Sequence, residues 1–137
     1  MTQEERELLF KDLCGRLPYG VKCLVDYTFC NETTDYEDVK SSTVDTLITI
    51  NQQTESYFFE YLSEWFDVDE FKPYLFPLSS MTEEQRKEME ENCLKFPQSG
   101  VLMPTYKTFD FFNKHHIDFR GLIEQGLAND ATGLNIY

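Results

Sequence analysis

Three runs with period-two hydrophobicity constrain this chain more than any other feature. From Val21 to Cys30 the odd positions Val21, Cys23, Val25, Tyr27 and Phe29 are apolar. From Thr43 to Ile50 the even positions Val44, Thr46, Ile48 and Ile50 repeat the pattern, and from Ser56 to Leu62 it returns at Tyr57, Phe59 and Tyr61. Alternation sends every second side chain to one face, so each run predicts a half-buried β-strand. The polar segment Asn51 to Glu55 is too short for a crossover, which makes the last two strands antiparallel. A meander is the simplest way to join the three.

A sheet with one apolar face needs a cover. The first residues supply one. Thr2-Gln3-Glu4-Glu5 has the form of a capping box, and Leu9, Phe10, Leu13, Cys14 and Leu17 lie near one helical stripe. Gly15 reads as the C-terminal stop. Trp65 to Leu78 carries Pro73 and Pro77 and predicts ordered coil or a short edge strand packed on the sheet. Ser80-Met81-Thr82-Glu83 reads as a second capping box, opening a helix that runs to about Cys93. Lys95 to Pro104 reads as a loop. Thr108 would cap a short helix and Asp118 another, from Phe119 to Leu127. The order predicts a single α+β domain over 1–137: an N-terminal helix, an antiparallel meander of about three to four strands, then C-terminal helices.

Charge narrows the function. The chain holds 12 Lys+Arg against 25 Asp+Glu, a net of −13. Phosphate neutralisation needs clustered cations, so direct nucleic-acid binding and attachment to an anionic membrane are disfavoured. The N-terminus lacks a cationic start and an apolar core of signal-peptide type, which points to a cytoplasmic protein. Cys14, Cys23, Cys30 and Cys93 show no metal-site spacing and are expected as reduced thiols, with Cys14, Cys23 and Cys93 mostly buried. No cofactor motif occurs.

Residues 31–70 hold eleven acids and a single base, Lys40, for a net of −10, together with Tyr57, Phe58, Tyr61 and Trp65. One reading is a solvated surface that maintains solubility. The other is an interface for a basic protein, with aromatic anchors and carboxylates that steer association; Asp35, Glu37, Asp38, Trp65, Asp67 and Asp69 are its candidate residues. On that reading the acids gather on one surface, with Asp45 and Glu60 on the sheet's open side. A sharper form is mimicry of nucleic-acid charge.

The alternative is a small hydrolase or metal-assisted enzyme centred on His115, His116 and Asp118. Adjacent histidines on a helix diverge by about 100°, so they do not readily share one metal. The plainer account is a histidine at a helix C-terminus, favoured by the macrodipole.

Three segments carry a resemblance. They are Lys11-Asp12-Leu13-Cys14-Gly15-Arg16-Leu17-Pro18-Tyr19-Gly20-Val21, then Lys72-Pro73-Tyr74-Leu75-Phe76-Pro77-Leu78-Ser79-Ser80-Met81-Thr82-Glu83-Glu84, then Asn113 to Ile123 with Gly126-Leu127-Ala128. Together they resemble a family of uncharacterised small acidic proteins of gut bacteria and their prophages. The resemblance implies no activity and carries over no functional residues. The best-supported reading of the sequence is therefore a non-catalytic protein–protein interaction module of mobile-element type, with an acidic, aromatic-rich surface over 31–70.

Overall fold

Thr2 starts the first helix as its sequence requires. Its hydroxyl accepts from the Glu5 amide, while the Glu5 carboxylate accepts from the Thr2 amide. The computed structural model describes residues 1–30 and 38–137. Helix α1 spans Gln3–Arg16 and buries Leu9, Asp12, Leu13 and Arg16, which recur at helical spacing. That face leaves Cys14 exposed, a correction to the expected apolar stripe. The reason is the Asp12–Arg16 ion pair, which must face inward and turns the helix away from Cys14. Cys23 is buried as expected, and Cys93 is half-buried. Gly15 does not stop the helix. The chain leaves through a 3-10 turn, Leu17–Tyr19, and Gly20 at φ 68 makes the reversal.

Strand β1, Lys22–Cys30, pairs antiparallel with β2, Asp38–Asn51; β2 pairs with β3, Ser56–Phe59, and β3 with the short β4, Trp65–Phe66. These four make the expected meander. The sheet is larger than that, because β5, Phe71–Pro77, joins the free side of β1. Residues 71–77 are thus an interior strand, where the prolines predicted coil or an edge. Pro73 closes the pairing with β1, opposite Cys23, and Pro77 is the last strand residue, so both sit where a ladder ends. Beyond Pro73, β5 pairs in parallel with the two-residue strands β8, Ile117–Asp118, and β9, Asn129–Asp130. The order across the sheet is β4-β3-β2-β1-β5-β8, with β9 also on β5.

The inward phase of β2 is opposite to the expected one. Asp45 and Leu47 are buried, while Val44 and Ile48 are exposed. The register shifts between Leu47 and Thr49, so Ile48 occupies a bulge. The bulge reverses the alternation, and Ile50 packs against the core again. Leu9 and Leu13 of α1 close over Val25, Leu47, Tyr57, Phe59 and Leu75. The expected cover of the sheet is in place.

Helix α2, Glu83–Glu91, is capped by Thr82 with Gln85, two residues later than the Ser80 box predicted. Helix α3, Tyr106–Lys114, begins at Thr105, and Thr108 is its third residue rather than its cap. Residues 96–101 form the expected loop, but the segment's ends pair: β6, Leu94–Lys95, and β7, Leu102–Met103, form a separate two-stranded hairpin between α2 and α3. Asp118 does cap the next segment, but residues 119–127 form turns instead of a helix. Among the described residues no helix is long and apolar enough to cross a membrane.

Candidate functional site

A carboxylate inside a sheet must be hydrogen-bonded, since an unpaired buried charge is prohibitively costly. Asp45 is only 5% exposed, and its bonds organise the residues after β3. Oδ1 accepts from the Thr46 amide at 2.7 Å and from the Tyr61 amide at 3.0 Å; Oδ2 accepts from the Leu62 amide at 2.9 Å. The Glu60 amide donates to the Thr46 carbonyl, the Ser63 amide to Phe59, and the Phe59 amide to Glu64. Ser63 takes a left-handed φ of 53 to complete the turn. Burial, and then the Asp45 charge, push the thiol of neighbouring Cys23 well up.

The product is a rigid knuckle over residues 60–65. It presents Tyr61, at 82% the most exposed large apolar residue among those described, between Glu60 and Glu64. Trp65, four residues further along the chain, is 49% exposed, its ring 5.2 Å from that of Phe58. Asp45 therefore points inward instead of to the open face. Period-two reading of Val44 and Ile48 points it the other way, since both of those side chains are exposed.

The other acidic candidates are divided among different tasks. Asp67 and Asp69 pair with Arg6 of α1 at 3.3 and 2.6 Å. Asp67 also caps the 3-10 turn Val68–Glu70, with Glu70 reaching back to its amide at 2.8 Å. Asp38 is exposed at the start of β2, whereas Trp65 lies at the other end of the sheet's long strand, across Phe58 from Thr49. Eleven residues of strand separate Asp38 from Thr49, roughly 35 Å at ~3.3 Å per residue. Asp35 and Glu37 lie outside the described residues. The outward side of β1, β2 and β5 carries Lys22, Lys40 and Lys72 beside Asp26 and Asp38, so the acids do not gather on that face. The knuckle itself carries two exposed carboxylates, Glu60 and Glu64.

The histidines end α3. The His115 ring lies 4.6 Å from Phe111. His116 adopts φ 57 and stacks on Tyr137 at 3.8 Å and 13°. Burial lowers its pKa to about 4, and the nearby charge of Arg16, then of His115 and Lys22, works in the same direction. Asp118 is not their partner: its two oxygens accept from the amides of Leu122 and Ile123, each at 2.9 Å. The acid–base pair required by the hydrolase reading is thus not assembled. Among the described residues no three His, Cys, Asp or Glu side chains converge as a metal site would need. His115 and His116 line an open cleft of about 550 Å³ with Phe76, Lys114 and Tyr137.

No family model matches the sequence, and neither the curated proteins nor the solved structures contain a match.

Proposed function

We propose that the chain is a non-catalytic protein-interaction module of mobile-element type whose contact surface is the knuckle over residues 60–65. The observation that supports it is the Asp45-anchored turn, which holds Tyr61 out in water between Glu60 and Glu64, with the exposed Trp65 directly after them. Exposed aromatics on a rigid support lose little entropy when they are covered, and Tyr and Trp dominate interface hot spots. Glu60 and Glu64, in a molecule of net charge −13, steer a basic partner toward them. An enzyme reading has less behind it, because the His116 ring is committed to Tyr137 and Asp118 to backbone amides.

The test compares wild-type protein with the double variant Tyr61→Asp, Trp65→Ser. Each is immobilised and exposed to a cytosolic extract at physiological salt. Basic proteins should be retained by the wild type, released by added salt, and largely lost from the variant. Equal retention by both would overturn the reading.

A further inference from the structure

The cleft beside α3 contains polar groups that the fold leaves unfinished. His116 is 7% exposed and stacks the face of its ring on Tyr137, which leaves the ring edge free. Its Nδ1 is sealed from water and has no hydrogen-bond partner among the described residues. No group among those residues bonds its Nε2 either, so Nε2 is the edge that meets the cleft. His115, the next lining residue, likewise has a sealed and unpartnered Nε2. Buried polar atoms are nearly always paired, so orphans of this kind call for a cause. The His116 ring is also held firmly. Its backbone keeps a left-handed φ of 57, and its carbonyl accepts from the Phe76 amide at 2.8 Å. Strained backbone of that kind persists where the surroundings fix it, and it clusters at ligand sites.

The lining says what would fill the space. A volume of about 550 Å³ suits a small molecule. Phe76, Ile117 and Tyr137 supply apolar wall, and exposed Lys114 borders it. No acidic side chain lines it, in a chain with 25 acids. Acids lie close by but are otherwise engaged. Asp118 gives both oxygens to the amides of Leu122 and Ile123. Glu88 and Asp110 line a separate groove that Lys114 also borders, and neither forms an ion pair with it. Burial, and then the charges of Arg16, His115 and Lys22, hold the His116 pKa at about 4, with no carboxylate working against them. Salt screens the rest of the acidic surface beyond ~8 Å, so these local cations set the field in the cleft. A neutral imidazole has a single N–H, and on Nε2 it offers the cleft a donor.

We propose that this cleft binds a small organic oxyanion, a carboxylate or phosphate group on a compact apolar body. The oxyanion accepts from His116 Nε2 and from the Lys114 ammonium, and the apolar body lies against Phe76 and Tyr137. The site is independent of the knuckle, because β4 ends one side of the sheet while the cleft opens beside β5 and β8 on the other.

The test titrates the protein at about 0.15 M salt and neutral pH with benzoate and with phenyl phosphate, followed by NMR shifts. Acetate and inorganic phosphate supply the head groups alone, and benzyl alcohol the ring alone. One aromatic anion should bind at about 1 mM or tighter, and every control about tenfold more weakly. The shifts should centre on Phe76, residues 114–117 and residues 132–137. Tighter benzoate identifies a carboxylate ligand, and tighter phenyl phosphate a phosphate ester. An oxyanion beside the ring favours its charged form, so the His116 titration midpoint should rise when the cleft is filled. Lys114→Glu should weaken binding about fivefold or more. Lys40→Glu in β2 makes the same change in net charge away from the cleft and should leave the affinity unaltered; both lysines are exposed, so both variants should fold. The proposal is overturned if neither anion binds saturably, or if any control binds as tightly. It is equally overturned if Lys114→Glu loses no more affinity than Lys40→Glu, or if the His116 midpoint stays where it was.

Discussion

Arg16 and Asp12 stand one helical turn apart and meet as a fully buried, two-pronged ion pair, Nε to Oδ2 at 2.7 Å and Nη2 to Oδ1 at 3.0 Å. The guanidinium also donates to the carbonyls of Phe112 and Ile117 at 3.3 and 2.8 Å, which ties α1 to α3 and β8. Arg120 adds a third charge, 3.3 Å from Asp12, with its guanidinium 4.7 Å from the centre of the Phe119 ring. Removing one partner leaves an uncompensated buried charge, which costs about 3–5 kcal/mol. Asp12→Ala should therefore lower the urea midpoint sharply. Replacing both, Asp12→Leu with Arg16→Met, should cost less than the sum of the single changes, and additivity in that cycle would contradict the pairing.

Asp45→Ala removes the acceptor for the amides of Tyr61 and Leu62. A fully buried donor left without a partner costs about 1–3 kcal/mol, and these two, being part-buried, should cost less because water reaches them. Amide exchange at residues 61 and 62 should accelerate well beyond the global change, while exchange at Val25 in β1 should follow global stability only. Uniform acceleration would mean that Asp45 does not hold the turn.

His116 makes the fold acid-sensitive. Its folded pKa is about 4 against an ordinary 6.5, so between those values an unfolded chain takes up a proton that the folded ring refuses. Stability should fall as the pH drops through that window and level off below it. The upper bound is about 3 kcal/mol, reduced by solvent screening where the ring meets the cleft. His116→Asn suits the left-handed backbone and cannot titrate. The stability difference between wild type and this variant, followed by urea melts from pH 7 to pH 4, should shift steadily against the wild type. A constant difference would refute the assignment.

Gly15 sits where α1 passes α3, and a Cβ there would lie 2.8 Å from Asn113 Nδ2. Gly to Ala inside a helix ordinarily gains about 1 kcal/mol. Here Gly15→Ala should gain nothing, because Asn113 must give way. In an Asn113→Ala background the ordinary gain should reappear in thermal melts.

Much of the fold was legible where a local signal matched a local cause. The Thr2–Glu5 box, the β1 alternation and the β3 pair Tyr57 and Phe59 all report their own surroundings. The misses came from tertiary context. The bulge at Ile48 inverted a pattern that period two cannot track across an extra residue. Pro73 argued against a strand whose ladder happens to end there. Strands β6 to β9 have two residues each, too short to show any period. At the candidate site, the aromatics of the acidic third were visible in the sequence. The inward carboxylate that positions them was not, since its partners are backbone amides sixteen and seventeen residues away.

The Tyr137 hydroxyl accepts from the Lys22 amide at 2.9 Å and donates to the Tyr74 carbonyl at 2.7 Å, the first of these across 115 residues of chain. Arg16 spans 101 residues to reach Ile117. Contacts of such separation require large loops to close before they contribute anything, and topologies rich in them fold slowly. The meander β1–β4 can pair from nearby segments, whereas β5 gains its parallel neighbours only after the far end of the chain has returned. The exposed side of β5 is therefore the part of this molecule that stays unprotected longest during folding, and the part where a chaperone or an aggregation-prone encounter would act first.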